Sequence, residues 1–292
     1  MNDFLPGLYI VSTPIGNLED ITLRALKVLK NSDQILCEDT RRSIKLLNHY
    51  DIKKKLISNH KFNEKRILDS VVKLLQKGKI ISLISDAGTP ILSDPGLILL
   101  RECIKKNINI FPIPGVSAIT TAMSVSGFTE KYFFYGFPPK KNKDLEKICT
   151  ELKDYNFNIV FFLPAIKINF YLKYFKKFFK DRNIFIAREM TKIHETFYRY
   201  NLESFDGFEN TIKGEITVVL SERNKINTQE SILDYKKLSV EILKYLKRYS
   251  LKDVVKLISE RHGLSKKKIY ELCLKIKKKW KNFLFFCFLF VF

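Results

Sequence analysis

Residues Ser82 to Gly96, SLISDAGTPILSDPG, constrain the fold more than any other stretch of this chain. An apolar strand, Ile80 to Ile84, runs into the loop Ser85–Pro90, and Asp94-Pro95-Gly96 then opens a helix. Asp94 is expected to be the N-cap, with Pro95 at the first helical position, where its missing N–H costs nothing. Such a unit brings small residues, backbone amides and a carboxylate to the carboxyl edge of a parallel sheet, where open α/β folds bind ligands. The loop contains neither GxGxxG nor GxxxxGK[ST], so it is not a dinucleotide fingerprint or a P-loop. It reads as a ligand loop; the alternative is a capped turn that only connects strand and helix.

The same rhythm fills the first 115 residues. Strands are expected at Leu8–Ser12, Gln34–Cys37, Leu56–Ser58, Ile80–Ile84 and Asn109–Pro112. Each is followed by a connection long enough for a crossover, which predicts a doubly wound parallel sheet. Helices are expected at Thr22–Lys30, from a cap at Asn63 to Gly78, and at Ser117–Ser126 with Gly127 as the stop. The composition then resets, placing a domain boundary near residues 124–130. Further strands are expected at Tyr132–Tyr135, Ile159–Leu163, Ile184–Ala187 and Glu215–Ser221. The expected organisation is α/β throughout residues 1–125 and 126–223. A polar linker at Asn224–Glu230, a basic helical segment at 235–281 and an apolar extension at 282–292 complete it. Leu251–His262, Gly263-Leu264-Ser265 and Lys266–Lys278 have the rhythm of helix–turn–helix, with glycine as C-cap and serine as the next N-cap.

Charge narrows the partners. Lys+Arg 52 against Asp+Glu 31 gives a net +21, and 16 basic against 4 acidic residues fall between Tyr235 and Lys281. Over half of the excess thus occupies about a sixth of the chain, which points to a polyanion, most simply RNA or DNA, with an anionic membrane second. Lys266, Lys267 and Lys268 are the candidate phosphate contacts there. The five cysteines (Cys37, Cys103, Cys149, Cys273, Cys287) include no CxxC and read as reduced thiols. His49, His60, His194 and His262 lack metal-ligand spacing, so no metal is expected. The N-terminus lacks the basic head and apolar run of a signal peptide, and a cytoplasmic location is expected. Phe283–Phe292 is wholly apolar but half the length of a membrane span. It reads as a packing element, as a dispensable read-through extension or, less simply, as a surface anchor.

Five loops at strand carboxyl ends outline a cleft: Ser12–Asn17, Cys37–Arg42, Ser58–Glu64, Ser85–Pro90 and Pro112–Ala118. Within them TPIGNLEDITLRAL, CEDTRRS, SDAGTPILSDPG and IPGVSAITTA resemble the small-subunit ribosomal RNA methyltransferase I group of the tetrapyrrole methylase superfamily. The match continues through Phe134–Pro139, Ala187–Lys192 and Lys213–Ile216, from residue 7 to about 221. The resemblance implies two α/β domains with S-adenosylmethionine folded into the cleft between them, in a homodimer. It implies 2′-O-methylation of a cytidine ribose in the decoding region of 16S rRNA, in free RNA or the small ribosomal subunit.

By that resemblance the cofactor contacts fall on Pro14, Asp86, Ala87, Gly88, Thr89, Ser117, Ala118, Phe162 and Ile216. Substrate contacts fall on Glu38, Arg41, Arg42, His60, Asn63 and Arg188, the arginines suiting phosphates. Glu189 and Asp39 are candidates to take the hydroxyl proton. Arg188-Glu189 reads equally as a structural ion pair. One departure concerns the run after the second-domain strand. The group usually carries a Glu-Ser-Pro-His-Arg-like sequence where this chain has Leu163-Pro164-Ala165-Ile166-Lys167, exchanging a bidentate fork for a point charge. Two other readings remain open: a porphyrinoid C-methyltransferase with the same fold and cofactor, and an rRNA-binding remnant without catalysis.

Overall fold

The computed structural model describes residues 4–223, 235–246, 248–267 and 269–277. Two compact units divide after Asn224. The expected linker Asn224–Glu230, Lys268 and the apolar extension 282–292 lie outside the described residues.

The first unit opens with a five-stranded sheet: β1 (Gly7–Val11), β2 (Gln34–Cys37), β3 (Lys55–Ser58), β4 (Ile80–Leu83) and β5 (Ile110–Ile113). The strand order is β3-β2-β4-β1-β5. Every neighbouring pair is parallel. Helices α1 (Leu23–Asn31), α2 (Thr40–His49), α3 (Glu64–Gln76) and α4 (Leu97–Lys105) make the crossovers. α1 starts where Thr22 Oγ1 accepts the Ala25 amide at 3.1 Å, and it buries Ala25, Val28 and Leu29 at helical spacing. That stripe packs with Tyr9, Val11 and Ile35 on one face, while Val71, Val72 and Leu75 of α3 and Leu99 and Cys103 of α4 pack on Leu8, Ile81 and Leu83 on the other. The chain leaves β1 toward β2 but leaves the adjacent β4 toward β5. Their carboxyl ends therefore form the switch point of the sheet.

Two expected caps are different in the structure. The N-cap of α4 is Gly96, at φ 126°, not Asp94. That φ favours glycine, and a Cβ there would also lie 2.5 Å from Leu83 Cδ2. The capping acceptor comes from another helix: buried Glu64 Oε1 takes the amides of Gly96, Ile98 and Leu99 at 3.1, 2.9 and 3.3 Å. Asn63 holds the N-cap position of α3 but makes no capping bond with its side chain. Its Oδ1 accepts the His60 amide at 2.7 Å and its Nδ2 donates to Ser58 O at 2.9 Å. The side chain closes the loop after β3 instead.

The second sheet comprises β6 (Tyr132–Gly136), β7 (Asn158–Pro164), β8 (Asn183–Arg188), β9 (Thr196–Asn201) and β10 (Glu215–Leu220). Its order is β6-β7-β10-β8-β9, parallel only between β6 and β7. One face is covered by α6 (Asn142–Leu152) and α7 (Ile168–Phe179), which bury Leu145, Cys149, Tyr171, Phe175 and Phe179. The opposite face receives α5 (Ala118–Ser126), whose Ile119 and Ala122 pack against Val160, Phe185, Ala187 and Val219. Edge strand β9 was not expected, because TFYRYN is only half-buried and has no apolar run.

The second unit contains α8 (Tyr235–Leu246) and α9 (Leu251–His262), and residues 266–277 apart from 268 are also helical. Leu238, Ile242, Val254, Ile258, Ile269 and Cys273 form its core. Gly263 ends α9 in the left-handed region at φ 65°, as its place in the sequence suggests. Among the described residues, no helix is long and apolar enough to cross a membrane, and no cluster of three metal-ligating side chains occurs.

Candidate active-site cleft

The loops at the switch point meet the carboxyl ends of β7 and β8 and the amino end of β10 around a cleft of about 530 Å³ within the first unit. Its central loop is braced to the loop after β1. Thr13 and Gly88 exchange backbone hydrogen bonds at 2.9 and 3.0 Å, and Thr13 Oγ1 donates to Ser85 O at 3.2 Å. Gly88 sits at φ 77° in this bridge. Thr89 Oγ1 donates to Val116 O and contacts Ser12 Oγ, each at 3.2 Å, joining the loop after β5 to the same assembly. Asp86 ties in the loop after β2: its Oδ1 accepts the Asp39 amide at 3.0 Å, and its Oδ2 lies 3.5 Å from the Arg42 guanidinium.

The lining includes Asp86, Ala87, Gly88, Thr89, Ser117, Ala118, Phe162 and Ile216, eight of the nine expected cofactor contacts. Pro14 is outside it, although its neighbour Ile15 is inside. Of the expected substrate contacts, Glu38 and Arg42 line the cleft, whereas Arg41, His60, Asn63 and Arg188 do not. Arg188 is spent on its own loops, donating to Lys213 O at 2.8 Å and His194 O at 3.2 Å. His60 Nδ1 accepts the Phe62 amide at 3.2 Å, and Asn63 is buried with both amide atoms engaged. Lys266 and Lys267 are exposed in the second unit.

The two expected proton acceptors are held as anions. Asp39 lies outside the lining and chelates Arg41 through Nε at 3.0 Å and the terminal guanidinium nitrogen at 2.7 Å. These bonds, with the Arg41 amide, hold its carboxyl at about 2. Glu189 lines the cleft at φ 50°. Its Oε1 accepts the Glu215 amide at 2.8 Å and Lys192 Nζ at 3.0 Å. Burial opposes ionisation there, but the Glu215 amide and Lys192 outweigh it and hold the carboxyl below its usual range.

Asp94 differs from both. Read from sequence as a cap, it is a lining residue. Burial, then the charges of Glu38 and Asp86, push it up to about 6 against an opposing hydrogen bond from Ser85. The folded state thus keeps the Asp94 proton to about pH 6, whereas an unfolded carboxyl releases it near ~3.9. Its charge therefore costs stability above that window, and the cost fades as pH falls toward 4. Lys192, Glu215, Met190 and Phe137 also line the cleft, and nothing in the sequence marks them individually as site residues. Of these only Phe137 stood outside the Ala187–Lys192 and Lys213–Ile216 motifs, in the aromatic run Phe134–Pro139.

The lining carries five carboxylates (Glu38, Asp86, Asp94, Glu189, Glu215) against three cations (Arg42, Lys140, Lys192). An acidic cleft in a chain of net +21 suits a small cationic ligand, not a polyanion. The first turn of α5 has no side-chain cap, and Ser117, Ala118 and Ile119 at its start line the cleft. Its free amides suit a carboxylate.

The family model for Tetrapyrrole (Corrin/Porphyrin) Methylases matches residues 7–206. The chain belongs to the tetrapyrrole methylase family. It is 39% identical over 276 residues to "Ribosomal RNA small subunit methyltransferase I" of Rickettsia prowazekii, covering 93% of this chain and 97% of that protein. It is 47% identical over 217 residues to the protein of the same name from Thermotoga maritima, covering 73% of this chain and 97% of that one. The Thermotoga relative is thus about as long as the first unit alone. Among solved structures, diphthine synthase aligns with TM-score 0.59 at 13% identity, covering 73% of this chain and 89% of that chain. Uroporphyrin-III-C-methyltransferase from Thermus thermophilus aligns with TM-score 0.54 at 15% identity, covering 77% and 98%. These structures share the fold alone. The chain is a methyltransferase, and methyltransferases of this family use S-adenosylmethionine.

The cleft fits that cofactor. The methionine carboxylate matches the uncapped start of α5, the sulfonium and ammonium match the acidic lining, and Phe162, Ile216 and Met190 offer an apolar wall to a purine.

Proposed function

We propose that this protein methylates the 2′-hydroxyl of a cytidine ribose in the decoding region of 16S rRNA, in the cytoplasm and as a homodimer. The observation that carries the reading is the separation of charge: an acidic, cofactor-sized cleft in a strongly basic chain. The names of the curated relatives supply the rRNA, and the motif resemblance supplies the cytidine ribose. Bound S-adenosylmethionine supplies an electrophilic methyl group on a sulfonium. The chain's own part is to align the acceptor oxygen, exclude water and receive one proton. Positioning alone accounts for about 7–11 kcal/mol of the barrier. Asp86 and the α5 amides hold the cofactor end, while Arg42 and the exposed Arg41 guanidinium at the start of α2 meet phosphates.

Porphyrinoid methylation shares the fold but leaves the basic second unit without purpose. A non-catalytic remnant is disfavoured because the cleft stays lined and braced despite the departure at Leu163–Lys167. There Leu163 and Pro164 line it, Ala165 is buried, and Lys167 precedes α7. The reading is tested by mass mapping of methylated nucleotides in 16S rRNA from a knockout strain. One 2′-O-methyl cytidine is expected to disappear and to return with the purified protein and S-adenosylmethionine. An unchanged map refutes it.

In this reading the second unit, which the Thermotoga relative is too short to match, adds RNA affinity through its basic surface rather than chemistry. Neutralising Lys266 and Lys267 is expected to lower the slope of log affinity against log salt by about 2, with cofactor affinity unchanged. An unchanged slope would remove these lysines from the RNA contact.

A further inference from the structure

If the acceptor is a hydroxyl, as proposed above, its proton needs a receiver in the cleft, and the five lining carboxylates are not equivalent. Asp86 holds the Asp39 amide and faces Arg42. Glu189 and Glu215 both grip Lys192, at 3.0 and 2.9 Å. Glu38 and Asp94 alone among the five have neither an ion pair nor an amide on their carboxylates. Asp94 lies on the loop that continues from Asp86–Thr89, and both it and Glu38 line the cleft, where the charge of Glu38 acts on the Asp94 carboxyl.

We propose that Asp94 is the catalytic base, with Glu38, on the loop after β2, as a positioning residue. The hydroxyl oxygen bonds to the methyl carbon as the carbon–sulfur bond breaks. The electron pair of that bond stays on sulfur, giving a neutral thioether, and the hydroxyl proton passes to Asp94 and then to solvent. A general base works best when its pKa lies near the operating pH. Asp94, pushed up to about 6, is suited to this, whereas Asp39 at about 2 and the lowered Glu189 are not. The titratable and charged groups around the pair are Asp86, acting on both, and Arg42, His60 and Asp39, acting on Glu38.

The test compares Asp94→Asn, Asp94→Glu and Glu38→Gln in the full-length protein, using S-adenosylmethionine titration, rRNA binding and single-turnover transfer across pH. Asp94→Asn is expected to bind cofactor and RNA within threefold of wild type, to transfer methyl 10²- to 10⁴-fold more slowly, and to lose the limb that rises through about pH 6. It should also melt higher than wild type at pH 7.5 but not near pH 4, which shows that it is folded. Asp94→Glu should restore part of the rate together with the limb. Glu38→Gln removes a neighbouring negative charge, favours ionised Asp94 and should move the limb to lower pH. Near wild-type transfer by Asp94→Asn overturns the proposal. So does loss of cofactor affinity in step with rate, or loss of transfer in Glu38→Gln alone. If wild type itself methylates no ribose, the functional reading fails, and this assignment fails with it.

Discussion

Arg182→Ala is expected to lose about 3–5 kcal/mol of folding stability, a fifth or more of what a domain usually has. Among the described residues Arg182 is the largest fully buried side chain, with no exposed surface. One terminal guanidinium nitrogen donates to Phe157 O at 2.9 Å and Ser221 O at 2.7 Å. The other donates to Tyr155 O and, at 3.3 Å, to Lys153 O. It therefore staples the turn before β7, the end of β10 and the start of β8, at the end of the second sheet away from the cleft. Burial pushes it down to about 10, so it stays charged at neutral pH, and the fork spreads that charge over four carbonyls. Truncation leaves the buried Ser221 carbonyl and three half-buried ones without this donor and opens a cavity beside Phe179, over which the guanidinium lies at 5.5 Å. Arg182→Lys should recover only part, because a point charge cannot reach the same set. Urea unfolding measures both variants, and S-adenosylmethionine affinity of the folded fraction should not change. A loss below 1 kcal/mol would mean that water or neighbouring groups replace the fork.

Arg182 also marks the limit of what the sequence discloses. Strand-and-crossover order was legible because Leu8, Ile35 and Ile81 belong to apolar runs whose period and spacing are local. The cleft loops were legible for the same reason: they fall where such strands end. What escaped depends on partners far along the chain. Asp94-Pro95-Gly96 has the composition of a helix start, yet the acceptor that caps α4 is Glu64, some thirty residues upstream, which frees Asp94 to line the cleft. A buried arginine looks like a surface arginine in sequence, and the half-buried edge strand β9 looks like a loop. Glu189 and Asp39 have the chemical type of a base, but the amides and cations that hold them as anions appear only in three dimensions.

Gly214→Ala should disable the cleft from its floor, with transfer lowered at least 10²-fold and cofactor binding weakened at least tenfold. Gly214 adopts φ 105°, and an added Cβ would lie 2.6 Å from the Glu189 carboxyl carbon and from Oε1. The backbone strain alone costs about 1–3 kcal/mol. The carboxylate cannot yield without cost, since its Oε1 takes the Glu215 amide and Lys192 Nζ. Lys192 carries the disturbance onward. Its Cγ and Thr191 Oγ1 pack so closely on Gly16 that a Cβ there would come within 2.5 and 2.6 Å of them, and Thr191 Oγ1 accepts the Asn17 amide at 3.0 Å. The loop Thr13–Asn17 is in turn bridged to Gly88. One methyl group is thus expected to shift the α/β loops that line the cleft, and a displacement of about 1 Å is enough for a 10²-fold loss. Glu189→Gln provides the contrast, because it keeps the shape and weakens only the bond to Lys192, so its effect should be smaller. Isothermal titration with S-adenosylmethionine and a single-turnover assay decide the matter. A Gly214→Ala protein within threefold of wild type in both would show that the cleft does not depend on the Glu189–Lys192 brace.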